Sequence, residues 1–252
     1  MAHAPGIQSH APASALWYAP TRFGISYGWE LVNDVTLNGA DVDTVGERYA
    51  GGNDLDFSGG RPLYEATGWD SVEPSCNLDG VNEFGRENAA AAVVTGTATD
   101  ATFVIACQLL ALPGATEGFF AFGSAGTTGF YTFQTAAAAQ LQIAHRPDGG
   151  GATITNQFGT VADTDRHVFT LVKNSLANSL WVDGVADGSN PIVGSAAATT
   201  LDLFVIGAQD IGAGAVNHVN MRFALMWIFP SALTADEAVA VSRSAALHAN
   251  WT

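Results

Sequence analysis

The densest grouping of candidate metal ligands in the chain is the segment DLDFSGGRPLYE. Asp54, Asp56, Ser58, Gly59 and Glu65 fall at positions 1, 3, 5, 6 and 12 of a calcium-loop pattern, where side-chain oxygens would surround a hard cation. The flanks argue for a plain acidic turn instead. Gly51 and Gly52 stand where a helix should enter, and Pro62 lies inside the segment. The sequence requires no cofactor, and calcium at Asp54, Asp56, Ser58 and Glu65 is the one it admits.

Other residues could do chemistry only in arrangements the chain lacks. A retaining glycosidase needs two carboxyls about 5 Å apart, which alternate positions on one strand would supply. In LDGVNEFGRE the acids Asp79, Glu83 and Glu87 are spaced differently and glycines break the segment. Ser124 in FGSAG lacks the first glycine of a nucleophile elbow. No phosphate-binding loop, dinucleotide fingerprint or HExxH motif is present. The six histidines include no pair at metal-binding helical spacing. The expectation is therefore a protein without enzymatic activity. A separate candidate is the loop AQDIGAGAVNHVN, between two apolar runs. There Asp210, Asn217 and His218 are placed to meet a sugar or a cation, with a simple connector as the alternative.

The elements that would position these residues read as strands. ATFVIACQLLAL, GFFAFG, GFYTFQT, AQLQIAHR, HVFTLVK, NSLWVDG, LDLFVIGA and VNMRFALMWIF are short apolar runs separated by turn residues. Several are apolar on both faces, as strands buried between layers are. AAAAQLQIA has helical propensity, but its neighbours favour a turn followed by a strand. Asp183-Gly184 between apolar runs predicts a two-residue hairpin with both residues at positive φ. Thr234 with Glu237 forms a capping box, acids precede bases along the segment, and a helix is predicted over Ala235–Leu247. The fold class is all-β: a two-sheet antiparallel jelly-roll sandwich with a short C-terminal helix and an extended N-terminal arm.

The charge is −15, with 9 basic residues against 24 acidic ones. Nucleic acid and anionic membranes are excluded as partners on that ground. The longest apolar run, Phe223–Phe229, is too short to span a bilayer. The first twenty residues have neither a basic start nor a continuous apolar stretch, so no signal peptide is expected. Cys76 and Cys107 match neither a disulfide framework nor a zinc spacing, and a single bridge between them stays open.

Three segments are expected. Residues 1–15 read as a flexible arm, 16–75 as a lead-in rich in Gly, Asn and aromatics, and 76–252 as the sandwich. Leu16, Trp17, Tyr18, Phe23, Tyr27 and Trp29 crowd the start of the lead-in. Such aromatics anchor interfaces and are predicted to dock the chain on a partner, with packing against its own sandwich as the alternative.

The order DGVNEF, FFAFGS, HVFTLVK, NSLWVDGV, LFVIGAQD and RFALMWIFPSALTADEAVAV resembles the laminin-G-like, concanavalin-A-like jelly roll, from about Ser75 onward. Upstream, the stretch from Val45 to Phe84 is similar in style to the lead-in of bacteriophage virion proteins carrying this domain. The resemblance implies a virion structural or accessory protein of a tailed phage or phage-derived particle. It would be assembled in the host cytoplasm, released with the particle, and used for capsid or tail decoration or adhesion to a host glycan. The implied partners are other virion proteins and sister subunits. A free carbohydrate-binding module of a secreted system is the second reading, and a glycan-cleaving enzyme the third.

Overall fold

The computed structural model describes residues 19–249 and 251, apart from 33, 50–52, 58, 70–72, 96–98, 127–128, 194–199 and 211–213. Its centre is strand β20 (Asn220–Phe229). β8 (Ala101–Leu109) runs antiparallel along one side of it, while β1 (Tyr27–Glu30) and β6 (Glu73–Asp79) share the other side. β13 (Arg166–Asn174) and β14 (Ala177–Val182) continue this sheet I beyond β8, and the short β15 (Val185–Ala186) and β16 (Ile192–Val193) finish its edge. Sheet II has the order β7 (Gly85–Arg86), β17 (Leu203–Ile206), β9 (Gly118–Gly123), β10 (Phe130–Thr135), β11 (Gln140–Arg146), β12 (Ile154–Val161).

A ribbon of β2 (Val35–Asn38), β3 (Asp41–Val45), β4 (Leu55–Asp56) and β5 (Leu63–Trp69) connects the sheets at one edge. β5 pairs with β6, β3 with both β5 and β4, and β4 with β7. A separate hairpin of β18 (Gln209–Asp210) and β19 (Ala215–Val216) stands before β20. All these pairings are antiparallel. The architecture is the sandwich expected from the sequence.

Strands that are apolar on both faces follow from three layers. In β8, Phe103, Ile105, Cys107 and Leu109 enter the core between the sheets, while Val104 and Ala106 face the other way. That second face is covered by helix α1 (Ala235–His248), whose Val241 and Ala245 pack there with Leu225, Trp227 and Phe229 of β20. Successive strand side chains point to opposite faces, so a strand covered on both sides carries no polar alternation. Helix α1 starts at the predicted capping box, with Thr234 and Glu237 reciprocally bonded, and runs one residue past the predicted end. AAAAQLQIA resolves into a 3-10 turn, Ala137–Ala139, followed by β11.

The Asp183-Gly184 turn takes positive φ at both residues, 53° and 78°. Asp183 also fastens the turn to β13. One carboxylate oxygen accepts from the Val168 N–H at 2.8 Å and the other meets His167 Nδ1 at 2.7 Å. His167 is held to Asp163 through Nε2 at 2.9 Å. The bond to Asp183 is the main cause that lifts the imidazole to about 9, with Asp163 adding to it against the opposing effect of burial. A Cβ at Gly184 would meet Val239 only at an ordinary 3.7 Å, so a side chain there is opposed by φ and not by space. Gly184→Val should cost about 1–2 kcal/mol and lower the melting temperature by a few degrees; an unchanged temperature would contradict the turn.

The lead-in does not stand apart from the sandwich. β1 pairs with β20 over Tyr27–Glu30, and Trp29, Leu31, Val42, Val45, Leu55 and Phe57 are buried in the inter-sheet core. The interface role expected for Trp29 is corrected accordingly. It has no exposed surface, stacks on Tyr27 and Phe204 with ring centroids 5.7 Å away in each case, and donates its Nε1–H to the Asn53 carbonyl. Tyr27 and Phe23 are half-buried and pack against the same molecule's core clusters. Leu16, Trp17 and Tyr18, and the arm before them, lie outside the described residues. Cys76 and Cys107 are free and buried; each is in register with Phe223, from opposite sides of β20.

Candidate functional site on the outer face of sheet II

The acidic residues singled out in the sequence hold turns and strands. Asp54 and Asp56 are exposed on either side of the buried Leu55, and Asp56 ends the short strand β4. Asp54 accepts from the Glu47 N–H, and Glu65 on β5 pairs with Arg222 at 3.3 Å. Ser58 lies outside the described residues. No group of three acidic, histidine or cysteine side chains gathers as a metal site among the described residues.

Asp79 accepts from the N–H groups of Val81 and Asn82, and Glu83 from that of Asp79. Burial pushes the Glu83 carboxyl up to about 7 against the pull of that hydrogen bond. Glu87 caps the 3-10 helix Asn88–Val93 through the N–H groups of Ala89 and Ala90. Ser124 is buried, and its hydroxyl accepts from Gly126 N–H within its own turn.

The rim loop divides. Asp210 pairs with Ala215 in the β18–β19 hairpin through its backbone, and its side chain lies outside the described residues. His218 is turned onto the Glu83–Phe84 turn, with Nδ1 3.3 Å from the Glu83 carbonyl and its ring against Phe84. Asn217 points the other way. Its side-chain amide donates to Gln209 Oε1, and Gln209 Nε2 donates to Gln134 Oε1.

That contact leads from the loop onto the outer face of sheet II. In β10 the residues Tyr131 and Phe133 enter the inter-sheet core, as do Leu141 and Ile143 of β11. Their neighbours Phe130, Thr132, Gln134, Gln142, Ala144 and Arg146 therefore face outward. The registers place Gln134 beside Gln142, and Gln142 beside Gln157 of β12. With Gln209 and Asn217 this makes a row of five side-chain amides across the sheet. The row is buried at Gln134, Gln142 and Gln209 and exposed at its ends, Asn217 and Gln157.

Next to it lies a row of small residues, Ala121, Thr132, Ala144 and Thr155, in register across β9 to β12. Beyond that, Phe130 is in register with Arg146, whose guanidinium sits 5.0 Å from the centre of the Phe130 ring. A strip of small side chains thus lies between an amide row and an arginine–phenylalanine pair, buried at Ala121, Thr132 and Ala144 and exposed at Thr155. Arg146 and Gln142 are four residues apart on one strand, about 13 Å at the strand rise.

Each amide offers one acceptor and two donor hydrogens in a plane. Rows of them can bond neighbouring hydroxyls of a ligand without any change of protonation. Gly118 keeps the arrangement tight, since a Cβ there would come within 2.9 Å of the Gln209 side chain and 2.8 Å of the Ala208 backbone. The residues of this face other than Asn217 were not singled out from the sequence. Their signal was present in GFYTFQT and AQLQIAHR, where Gln134, Gln142 and Arg146 occupy strand positions alternating with Tyr131, Phe133, Leu141 and Ile143.

No family model matches the chain, and no curated protein does. Solved structures share the fold. A Trypanosoma rangeli sialidase in complex with 2,3-difluorosialic acid is 16% identical with a TM-score of 0.62, over 89% of this chain and 33% of the sialidase. The CBM40 domain of the Ruminococcus gnavus IT-sialidase, bound to α2,3-sialyllactose, is 14% identical with a TM-score of 0.51, over 67% of this chain and 95% of that domain. The same domain bound to α2,6-sialyllactose gives 14% and 0.50. The chain thus spans about a third of the length of the sialidases it resembles. These sialidases, glycoside hydrolases by name, correct the expectation that the chain lacks enzymatic activity, because the fold recurs within enzymes. At such identities the likeness establishes a shared β-sandwich fold and stops there.

Proposed function

We propose that this chain is a carbohydrate-binding β-sandwich that holds its glycan on the outer face of sheet II. The observation that carries the proposal is the exposed edge of this face, where Gln157 and Thr155 of β12 stand beside Arg146 on Phe130 and next to the buried amides Gln142 and Gln134. Glycans are recognised through many directional hydrogen bonds made at once, and amides supply donors and acceptors together. The CBM40 domain that shares the fold along 95% of its own length has a glycan bound, which supports the same reading here.

The setting we propose is the surface of a tailed-phage particle, as a capsid or tail decoration beside other virion proteins and sister subunits. This rests on the order of segments between Val45 and Phe84 and onward. Incorporation of a tagged chain into purified particles is its direct measure.

The glycan reading is tested by calorimetric titration against a panel of neutral and acidic oligosaccharides, with each reaction also assayed for released sugar. Thr155 is exposed and in register with Ala144, at the solvent end of the strip of small residues. Thr155→Trp should block this exposed edge and weaken binding roughly tenfold or more, about 1.4 kcal/mol. Stability should stay within about 0.5 kcal/mol, as for other surface changes. A panel without any ligand, or a Thr155→Trp variant that binds normally, would refute this site.

A further inference from the structure

Arg146 stands apart from nearly every other cation of the chain. Of the nine lysines and arginines, Arg48, Arg61 and Arg222 are paired with Glu30, Asp43 and Glu65. Lys173 is buried against the Thr99 carbonyl. Arg86 and Arg166 have partners besides the rings they cover. Arg22 acts electrostatically on Glu237, and Arg243 is exposed on helix α1. Arg146 is half-buried, rests on Phe130, and has a buried Nε with no acceptor among the described residues.

Withdrawing a guanidinium from water is costly unless an anion or acceptor meets it. In a chain with 24 carboxylate side chains, a half-buried arginine on the candidate binding face that meets none of them among the described residues is a site left for a ligand's charge. A guanidinium presents its donors in a planar fork that fits a carboxylate with two parallel bonds. The Phe130 ring beneath holds it in place by cation–π contact.

We infer that the glycan is acidic, and that Arg146 receives the carboxylate of a sialic or uronic acid residue while the exposed Gln157 and Thr155 beside it take the hydroxyls. The inference rests on the carbohydrate-binding reading and specifies its ligand. The net charge of −15 does not oppose it at physiological salt, where charges more than about 8 Å away are largely screened and the local arginine decides.

The test compares 3′-sialyllactose and a glucuronic-acid-terminated disaccharide with lactose, titrated into the full chain and into Arg146→Gln and Arg146→Lys. The acidic sugars should bind the unaltered chain roughly 10–100-fold more tightly than lactose, the range of a hydrogen bond to a charged group. Arg146→Gln should erase that preference, so that the acidic sugars bind the variant no more tightly than lactose binds the same variant. Arg146→Lys, which keeps the charge and loses the fork, should retain part of it. Melting curves of the three proteins establish that each is folded, and Arg146→Lys carries the comparison should the glutamine variant unfold. Equal affinity for acidic and neutral sugars, or a preference that survives Arg146→Gln, would overturn the inference and leave a neutral-glycan site standing. Binding of no sugar at all would remove the underlying reading as well.

Discussion

Glu30→Gln should lower the stability of the protein at pH 7 by about 3 kcal/mol, and the difference from the unaltered chain should vanish as the pH falls to about 2. Glu30 is 1% exposed, beneath helix α1. Its carboxylate accepts from Arg48 at 2.6 Å, from the Tyr49 hydroxyl and from Trp227 Nε1 at 2.9 Å, and lies 3.4 Å from His248 Nδ1. Burial is the largest single influence and pushes the carboxyl up. Hydrogen bonds from His248 and Tyr49, with the charges of His248 and Arg48, together outweigh it and lower the group from 4.5 to about 2.

A folded-state value below the unfolded one stabilises the fold fully above about 4.5. That contribution is lost as the pH falls through about 2. The interval corresponds to about 3 kcal/mol, in line with the 3–5 kcal/mol expected when one partner of a buried pair is removed. For a chain of this size that is roughly 6–12 °C of melting temperature. Urea midpoints at pH 7, 4 and 2 for both proteins provide the measurement. A difference that persists undiminished at pH 2 would assign the effect to packing and not to charge.

Glu30 also shows where sequence reading reached its limit. The strands that carry the sandwich were legible because a strand covered on both faces must be apolar throughout, and ATFVIACQL and NMRFALMWIF are. The Asp183-Gly184 turn and the Thr234 capping box were legible because each depends on a few adjacent residues. The Glu30 cluster draws on residues from 30 to 248, and no local pattern links them. The same holds for the amide row, in which Gln157 and Asn217 meet the sheet from distant segments; only its middle, Gln134 and Gln142, lay in a readable alternation. The calcium-like spacing of Asp54, Asp56, Ser58 and Glu65 was ambiguous for the converse reason. Spacing along the chain says nothing of Arg222, which pairs with Glu65, or of the inter-sheet core that buries Leu55 and Phe57.

A chain beginning at Asn33 should fail to fold. The aromatic cluster near the N-terminus reads equally as a docking surface or as core from sequence, and these alternatives predict opposite outcomes for this truncation. It removes β1 and its pairing with Leu225–Ile228 on the central strand. It removes Trp29, whose buried volume lies between Tyr27 and Phe204; loss of a buried tryptophan side chain alone costs about 3–5 kcal/mol. It removes Glu30, leaving the buried Trp227 N–H without its acceptor. Strand β1 is also pressed closely by Tyr49, for a Cβ on Gly28 would run into that ring. Each of these losses is a large part of a marginal stability of about 5–15 kcal/mol. Near-ultraviolet circular dichroism of the truncated chain should show no fixed tryptophan environment, and it should lack a cooperative melt. A truncated chain that melts cooperatively near the full-length temperature would make β1 an appendage and return the segment to an attachment role.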